Sequence, residues 1–187
     1  SGVFCLKKDR FQDVVWIGTD GQGVYLYSNP LYSIKSMVLS NYTEKIERPV
    51  RAIYLDDERT FWVGTKGNGI LKIYDYEFDK NISDCRAEVL TTSNSALSSN
   101  AVYCFAKSHR NLLWIGDEEG LTYYSYREKR IKSIPIRIGN EDFKYIHDIY
   151  ETADSELWLR CHLLQGLPAL CPVFSVPFSA VLPAGTT

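Results

Sequence analysis

A tryptophan-centred segment recurs along this chain at intervals of 44 to 52 residues. Its fullest copy, residues 14 to 27, is an apolar run around a tryptophan, then a glycine turn, then a second apolar run. All four tryptophans of the chain occupy the same place in their copies: Trp16, Trp62, Trp114 and Trp158. Periods of this size indicate a repeat architecture in which each copy is one supersecondary unit.

Each copy extends beyond its tryptophan. An apolar run precedes it and a polar bend separates the two. In the first three copies another β-rich run follows the glycine turn, whereas the fourth copy breaks off after Leu159. The upstream runs begin at Val3, Val50, Val102 and Ile146. Polar bends of this kind close hairpins. One copy therefore predicts four short antiparallel strands, which is the content of one propeller blade.

The repeat predicts an all-β fold, an incomplete β-propeller of three to four four-stranded antiparallel blades. We expect residues 1–159 to form this partial propeller and residues 160–187 to be an atypical, apolar, proline-rich tail. Residues 161–187 contain no charged side chain and hold four of the seven prolines. The predicted blades are residues 1–39, 48–91, 100–134 and an incomplete 144–159.

The tail departs from the repeat at Arg160, where the pattern predicts glycine. We interpret it as foreign to the fold. It is apolar enough to raise the question of a membrane-spanning helix, which its prolines argue against. Because the chain opens directly on a repeat strand, we also expect it to be a piece of a longer protein.

The five cysteines form neither a metal pattern nor a disulfide framework. Cys5 and Cys104 occupy the repeat position of Ala52, so we expect small side chains packed between sheets. A disulfide between Cys161 and Cys171 is left open.

A side chain repeated in every blade serves architecture, so we expect the tryptophans to fill the space between sheets rather than bind sugars. The glycine turns lack the GxGxxG order of a nucleotide loop and fit hairpins that need positive φ.

Composition and motifs exclude several functions. The formal net charge is −2 and the basic residues are scattered, which predicts no nucleic-acid partner. Of the three histidines, His109 lies in a predicted solvent turn, and His147 lies beside Asp148 on a predicted inner strand. No catalytic motif, metal-ligand spacing or cofactor fingerprint is present, so we expect no catalytic residue, no metal and no cofactor.

The blade pattern resembles the two-component regulator propeller repeat, found in the periplasmic sensor domain of hybrid two-component system histidine kinases. The residues that carry the resemblance are the Trp-Ile-Gly-Thr type of strand, the glycine turn, and the lead-in Leu97-Ser98-Ser99-Asn100 before an inner strand. The resemblance covers residues 1 to 159. It implies a periplasmic sensor region of an inner-membrane protein that binds a glycan fragment and signals to a kinase region absent from this chain.

The partners implied are an oligosaccharide and the remaining propeller blades of the parent protein. An open arc also exposes the apolar faces of its first and last blades, so we expect self-association. Residues on the face formed by the glycine turns and the interblade connections are the predicted ligand site, with Tyr42 or Tyr103 as a platform ring. They are Asp20, Gln22, Arg51, Lys66, Asn68, Asn100, Glu118 and Glu119.

Two other classes of function stay open. A propeller used as a protein-interaction scaffold would bind a partner protein and ignore sugars. A propeller enzyme would need a central metal or histidine cluster, and the inner strands offer only Arg51, Tyr103, His147 and Asp148.

Overall fold

The computed structural model describes residues 2–21, 23–28, 33–37, 48–76, 85–138, 141–154, 156–162 and 173–177. The regular secondary structure of these residues consists of strands. The first eight are β1 (Val3–Lys8), β2 (Val14–Thr19), β3 (Val24–Ser28), β4 (Ser33–Met37), β5 (Val50–Leu55), β6 (Phe61–Thr65), β7 (Ile70–Ile73) and β8 (Ala87–Leu90). The others are β9 (Val102–Lys107), β10 (Leu112–Asp117), β11 (Leu121–Ser125), β12 (Arg130–Ile134), β13 (Arg137–Ile138), β14 (Glu141–Asp142), β15 (Lys144–Glu151), β16 (Glu156–His162) and β17 (Val173–Pro177).

The chain divides into two compact units. The first contains Ser1–Thr91 with Asn100–Val102, and the second contains Thr92–Ser99 with Tyr103–Thr187. In the first unit β1 to β4 form one four-stranded sheet and β5 to β8 another, with strands in chain order. Neighbouring strands in both sheets pair antiparallel, as expected for chains that turn back through short hairpins. Each sheet has the strand content predicted for a blade.

The core of the first unit lies around Trp16, which has no exposed surface. Its ring lies 4.5 Å from the ring of Phe61 and 5.1 Å from that of Tyr76, measured between centroids. Both partners belong to the second sheet or its connection, so the tryptophan of one sheet is covered by the next. Burial of rings in tilted contact is a large stabilising term, and it confirms the packing role predicted for this position.

A glycine two residues after the tryptophan permits this close approach. A Cβ atom on Gly18 would lie 2.5 Å from Sγ of Cys5 and 3.2 Å from Cγ1 of Val50 in the next sheet. A Cβ on Gly64 would lie 2.8 Å from Cγ1 of Val102. Distances below about 3 Å are steric clashes, so these positions exclude any larger residue. The same contacts confirm the prediction that Cys5 is a small side chain packed between sheets.

The second unit repeats the arrangement. Strands β9 to β12 form a four-stranded sheet, β15 to β17 a three-stranded sheet, and β13 with β14 a two-stranded ribbon. Trp114 is fully buried in a core that includes Leu121, Phe143, Ile146 and Leu159. Gly116 again gives room, since a Cβ there would lie 2.5 Å from Sγ of Cys104 and 2.6 Å from the carbonyl oxygen of Ile146.

Trp158 does not follow its three counterparts. Trp16, Trp62 and Trp114 have no exposed surface, whereas Trp158 is 44% exposed, and Tyr150, which pairs with it across the sheet, is 67% exposed. The prediction that every tryptophan fills the space between two sheets is therefore wrong for the fourth copy. The cause is that burial of this ring depends on a following sheet, as Trp16 shows, and in the described part of the chain no sheet follows β17.

The predicted boundary between residues 159 and 160 falls inside β16, which continues to His162. Strand β17, from the region interpreted as a tail, pairs with β16 along its length, with Ser175 opposite Trp158. The assignment of residues 160–187 to a separate tail stays a prediction, but these two segments belong to the fourth sheet. In the described residues no helix is long and apolar enough to cross a membrane.

Candidate functional site

The second glycine turn joins three of the predicted ligand residues. Asn100 accepts backbone hydrogen bonds of 2.9 Å from both Gly67 and Gly69 through its carbonyl oxygen. Lys66, which is exposed, donates its backbone N–H to the carbonyl of Pro49 at 2.9 Å. Asn68 is half-buried, and its Oδ1 accepts the backbone N–H of Arg48 at 3.1 Å. The connections that flank the second sheet therefore meet at this turn, as the sequence predicted.

The turn itself needs its glycines. Gly67 has φ of 118° and Gly69 has φ of 76°, both in the region that favours glycine. A Cβ on Gly69 would also lie 2.2 Å from the carbonyl oxygen of Leu90. Thr65 closes the turn, because its N–H and its hydroxyl both donate to the carbonyl of Gly69, at 3.0 and 2.8 Å. The positive φ predicted for these hairpins is confirmed.

The third turn uses a different closing residue. Asp117 stands where Thr19 and Thr65 stand in the first two turns, and it is fully buried. Its Oδ1 accepts backbone N–H groups from Glu119 and Gly120 at 2.9 and 3.0 Å, while its Oδ2 accepts the hydroxyls of Ser98 and Thr122 at 2.6 and 3.0 Å. Burial raises the pKa of Asp117, and the four hydrogen bonds oppose that rise.

Both predicted residues of the third turn contact β15, Glu118 through its backbone and Glu119 through its side chain. The carbonyl oxygen of Glu118 accepts the backbone N–H of Tyr145 at 2.9 Å. Oε2 of Glu119 accepts a hydrogen bond of 2.6 Å from Nζ of Lys144, and both side chains are partly exposed. The sequence did not single out Lys144 or Tyr145. Their pairing with the glycine turn is a tertiary relationship that no local pattern shows.

The first glycine turn has only one predicted ligand residue within the described part of the chain. Asp20 is exposed, and its backbone N–H donates to the carbonyl of Gly2 at 2.9 Å. Gln22 and Tyr42 lie outside the described residues. The structure brings Lys66, Asn68 and Asn100 together in the first unit, and Glu118 with Glu119 in the second. A role of any of them in binding a ligand stays a prediction.

In the first unit, the first strand of both sheets carries one residue that bulges out of the pairing register. Phe4 is passed over between Val3 and Cys5, and Arg51 between Val50 and Ala52. Their side chains meet, with Cζ of Arg51 5.1 Å from the centroid of the Phe4 ring, a cation–π distance. Arg51, predicted as a ligand residue from its place at a strand start, is thus half-buried against the neighbouring sheet.

The equivalent residues of the second unit are both ring-bearing. His147 is passed over between Ile146 and Asp148, and its ring lies 4.5 Å from that of Tyr103 at an interplanar angle of 48°. The ring of Tyr145 lies 6.4 Å from that of Tyr103 at 49°. All three side chains are half-buried. The sequence does contain a signal for this position, because its residue differs in every copy: Phe, Arg, Tyr and His. The positions that serve architecture carry the same or similar residues in each copy.

These groups can hydrogen-bond and stack, and little in them points to covalent chemistry. Burial raises the pKa of the Cys5 thiol to about 11 and raises that of Cys104 further, so neither sulfur is a ready thiolate nucleophile at neutral pH. Within the described ranges no group of three or more His, Cys, Asp or Glu side chains is placed to hold a metal ion.

No protein-family model matches the chain. Among curated proteins, translation initiation factor 6 from Saccharolobus solfataricus is similar to it, with 31% identity over 140 residues. That match covers 68% of this chain and 57% of the factor. The chain therefore spans a little over half the length of this relative.

Several solved structures share the fold. PorZ, a bacterial surface component of the type-IX secretion system of Porphyromonas gingivalis, superposes with a TM-score of 0.66 and 14% identity, over 96% of this chain and 26% of PorZ. The extracellular domain of the hybrid two component system BT3049 from B. thetaiotaomicron gives 0.65 and 21%, over 98% of this chain and 24% of that one. Streptogramin B lyase gives 0.60 and 12%, over 100% of this chain and 56% of the lyase.

At these identities the likeness concerns the fold alone, and this chain spans between about a quarter and just over half of each neighbour. The neighbours include the extracellular domain of a two component system, a secretion component and an enzyme, so they do not fix one activity. The four antiparallel sheets and the propeller-like neighbours confirm the predicted fold class, an all-β incomplete β-propeller.

Proposed function

We propose that this chain is a ligand-sensing segment of an extracytoplasmic receptor, and that its ligand is an oligosaccharide. Extracellular domains of hybrid two component systems from B. thetaiotaomicron share its fold. In the proposed parent protein, these blades lie in the periplasm with further blades, and binding is passed to a kinase region outside this chain. No catalytic step is part of the proposal.

The observation that carries the proposal is the meeting of Lys66, Asn68 and Asn100 at the second glycine turn. The Asn100 carbonyl and the Asn68 amide hold the turn to its two connections, so the backbone under Lys66 is fixed. A fixed turn that presents an exposed ammonium donor suits recognition of hydroxyl groups, because little conformational entropy is lost when a ligand binds.

The test compares two charge-removing substitutions by calorimetry with a panel of neutral and acidic oligosaccharides. Lys66→Ala removes the exposed ammonium without touching the backbone bonds of the turn. Lys8→Ala is the matched control, because Lys8 is also exposed and ends β1 at the hairpin opposite the glycine turns. We expect Lys66→Ala to weaken binding roughly tenfold, the effect of one charged hydrogen bond, with an unchanged melting temperature.

Asn68 needs a subtler change, because Asn68→Ala would leave the N–H of Arg48 without its acceptor. Asn68→Asp keeps an acceptor oxygen there and alters only the amide group. Wild-type protein that binds no sugar but captures a defined partner protein from the parent organism would overturn the proposal and favour the scaffold alternative. Equal affinity of wild type and Lys66→Ala for a sugar that does bind would remove this turn from the site.

A further inference from the structure

Tyr145 has a backbone conformation that a bulky residue rarely adopts. Its φ is 55°, in the left-handed region, although it lies inside strand β15. It is also passed over in the register between Lys144 and Ile146, so β15 carries two bulges within four residues, at Tyr145 and His147. Bulges re-aim side chains and are frequent beside functional sites, and strain of this kind persists only where surrounding structure enforces it.

The enforcing contacts come from the third glycine turn. The N–H of Tyr145 donates to the carbonyl of Glu118, and the neighbouring Lys144 ammonium pairs with Glu119. The turn therefore holds the Tyr145 ring near Tyr103, whose ring in turn lies 4.5 Å from His147. The result is a half-buried cluster of three rings, with a carboxylate and an ammonium group attached to the same strand and turn.

The charges around this cluster disfavour an acidic ligand. Three acidic residues, Glu118, Glu119 and Asp148, belong to the turn and the strand that hold the rings. Two basic residues, Lys144 and Arg160, belong to β15 and its partner β16. Both cations lie opposite a carboxylate, at 2.6 Å for Lys144 with Glu119 and 4.0 Å for Arg160 with Asp148. These five side chains, three acidic and two basic, therefore sum to a charge of −1, which would repel a uronic acid or a sulfated sugar.

We propose that Tyr103, Tyr145 and His147 form a stacking site for a neutral pyranose ring, with Glu119 and Lys144 as hydrogen-bonding groups at its edge. The inference rests on the proposed function and adds to it a second site and a ligand class. The C–H groups of a pyranose face carry partial positive charge and suit the negative face of an aromatic ring. Its hydroxyl groups suit a carboxylate and an ammonium that are both partly exposed.

Tyr145→Gly is the sharpest variant. It removes the ring and at the same time places glycine at a φ that favours it, so the melting temperature should not fall. Tyr103→Ala removes the central ring, and Tyr103→Leu keeps apolar bulk in case the alanine variant unfolds. Tyr126→Ala is the matched control, because Tyr126 is half-buried in an aromatic pair with Tyr124 but belongs to the β11 side of the sheet.

The measurement is calorimetry of the complete chain with short neutral gluco-, manno-, galacto- and xylo-oligosaccharides and with oligogalacturonate. We expect wild type and Tyr126→Ala to bind a neutral sugar equally, and Tyr145→Gly and both Tyr103 variants to bind roughly tenfold more weakly. If wild type binds a neutral sugar and folded Tyr145→Gly and Tyr103→Leu bind it equally well, this site is refuted while the proposed function stands. Binding of oligogalacturonate alone refutes the ligand class, and no binding of any sugar refutes the proposed function itself.

Discussion

The indole N–H of Trp62 donates a hydrogen bond of 2.9 Å to Oδ2 of Asp56, and both side chains are buried. Oδ1 of the same carboxylate accepts the backbone N–H groups of Glu58 and Thr60, at 2.9 and 2.8 Å. One aspartate thus closes the hairpin between β5 and β6 and satisfies the buried indole. Trp16 has the same relationship with Asp9, also at 2.9 Å.

Asp56→Ala should be strongly destabilising, because it leaves three buried or half-buried donors without this acceptor. We expect the free energy of unfolding to fall by about 3 kcal/mol, as measured by urea denaturation. Asp57→Ala is the control, since Asp57 is adjacent but exposed and forms a surface ion pair with Arg10. A loss for Asp56→Ala no larger than that of its neighbour would contradict this role.

The third hairpin predicts that one substitution changes stability in opposite directions in two backgrounds. Ser108 stands where Asp9 and Asp56 stand, and the indole of Trp114 instead donates to Oε2 of Glu151 on β15, at 2.6 Å. Ser108→Asp should therefore destabilise the wild type, because it puts a second buried carboxylate at one indole. In a Glu151→Ala background the same change should stabilise, because it restores an acceptor. A double-mutant cycle measures this coupling, and additive effects would show that the two positions do not share the indole.

Asp117 predicts a dependence of stability on pH. Burial raises its pKa above the ordinary value of 3.8. Because the folded state holds the proton more tightly, this group stabilises the fold most below pH 3.8, and the contribution is lost as pH rises through the folded-state pKa. Asp117→Asn removes the titration and keeps an acceptor oxygen and hydroxyl partners.

The unfolding free energy of wild type relative to Asp117→Asn should therefore fall as the pH rises from 3.8 through the raised folded-state pKa. Urea denaturation at a series of pH values provides the measurement. A difference that stays constant, or that grows with pH, would show that the four hydrogen bonds outweigh burial.

The first sheet predicts self-association. Val3 and Leu6 are 60% and 64% exposed, whereas Val50 and Ile53, at the same repeat positions, are buried against Gly18 of the preceding sheet. We propose that a second copy of the chain covers this face. Leu6→Ser should lower the concentration-dependent mass in sedimentation equilibrium, and Lys8→Ser, exposed on the same strand, should not. A wild type that is monomeric at every concentration would refute the association.

The sequence was sufficient to predict the sheets, because the tryptophan, the following glycine and the glycine turn recur and each has a local steric reason. The first blade was predicted to end at residue 39 and its fourth strand lies at Ser33–Met37. The second was predicted to end at residue 91 and its fourth strand lies at Ala87–Leu90. Strand ends are set by pairing partners, which local patterns reveal only roughly.

The sequence could not predict features that depend on a neighbouring sheet. The third hairpin has no aspartate to accept the indole N–H of Trp114, and Glu151 accepts it instead, 37 residues further along the chain. The left-handed φ of Tyr145 accompanies its hydrogen bond to Glu118. The exposure of Trp158 depends on whether a further sheet packs over its ring, and none follows β17 among the described residues. Of the candidate site, the meeting of the second turn with its connections was predicted, whereas the ring cluster on β9 and β15 was not.

The displaced acceptor of Trp114 has a consequence for the order of events during synthesis. The first two indoles find their carboxylates within seven and six residues, so each hairpin can complete its hydrogen bonds as soon as it emerges. Trp114 must wait until Glu151 has been made and β15 has docked. The third blade therefore needs a strand of the following sheet to satisfy its indole. In a nascent chain halted before residue 151, the first two hairpins should have their indole hydrogen bonds and the third should lack its own.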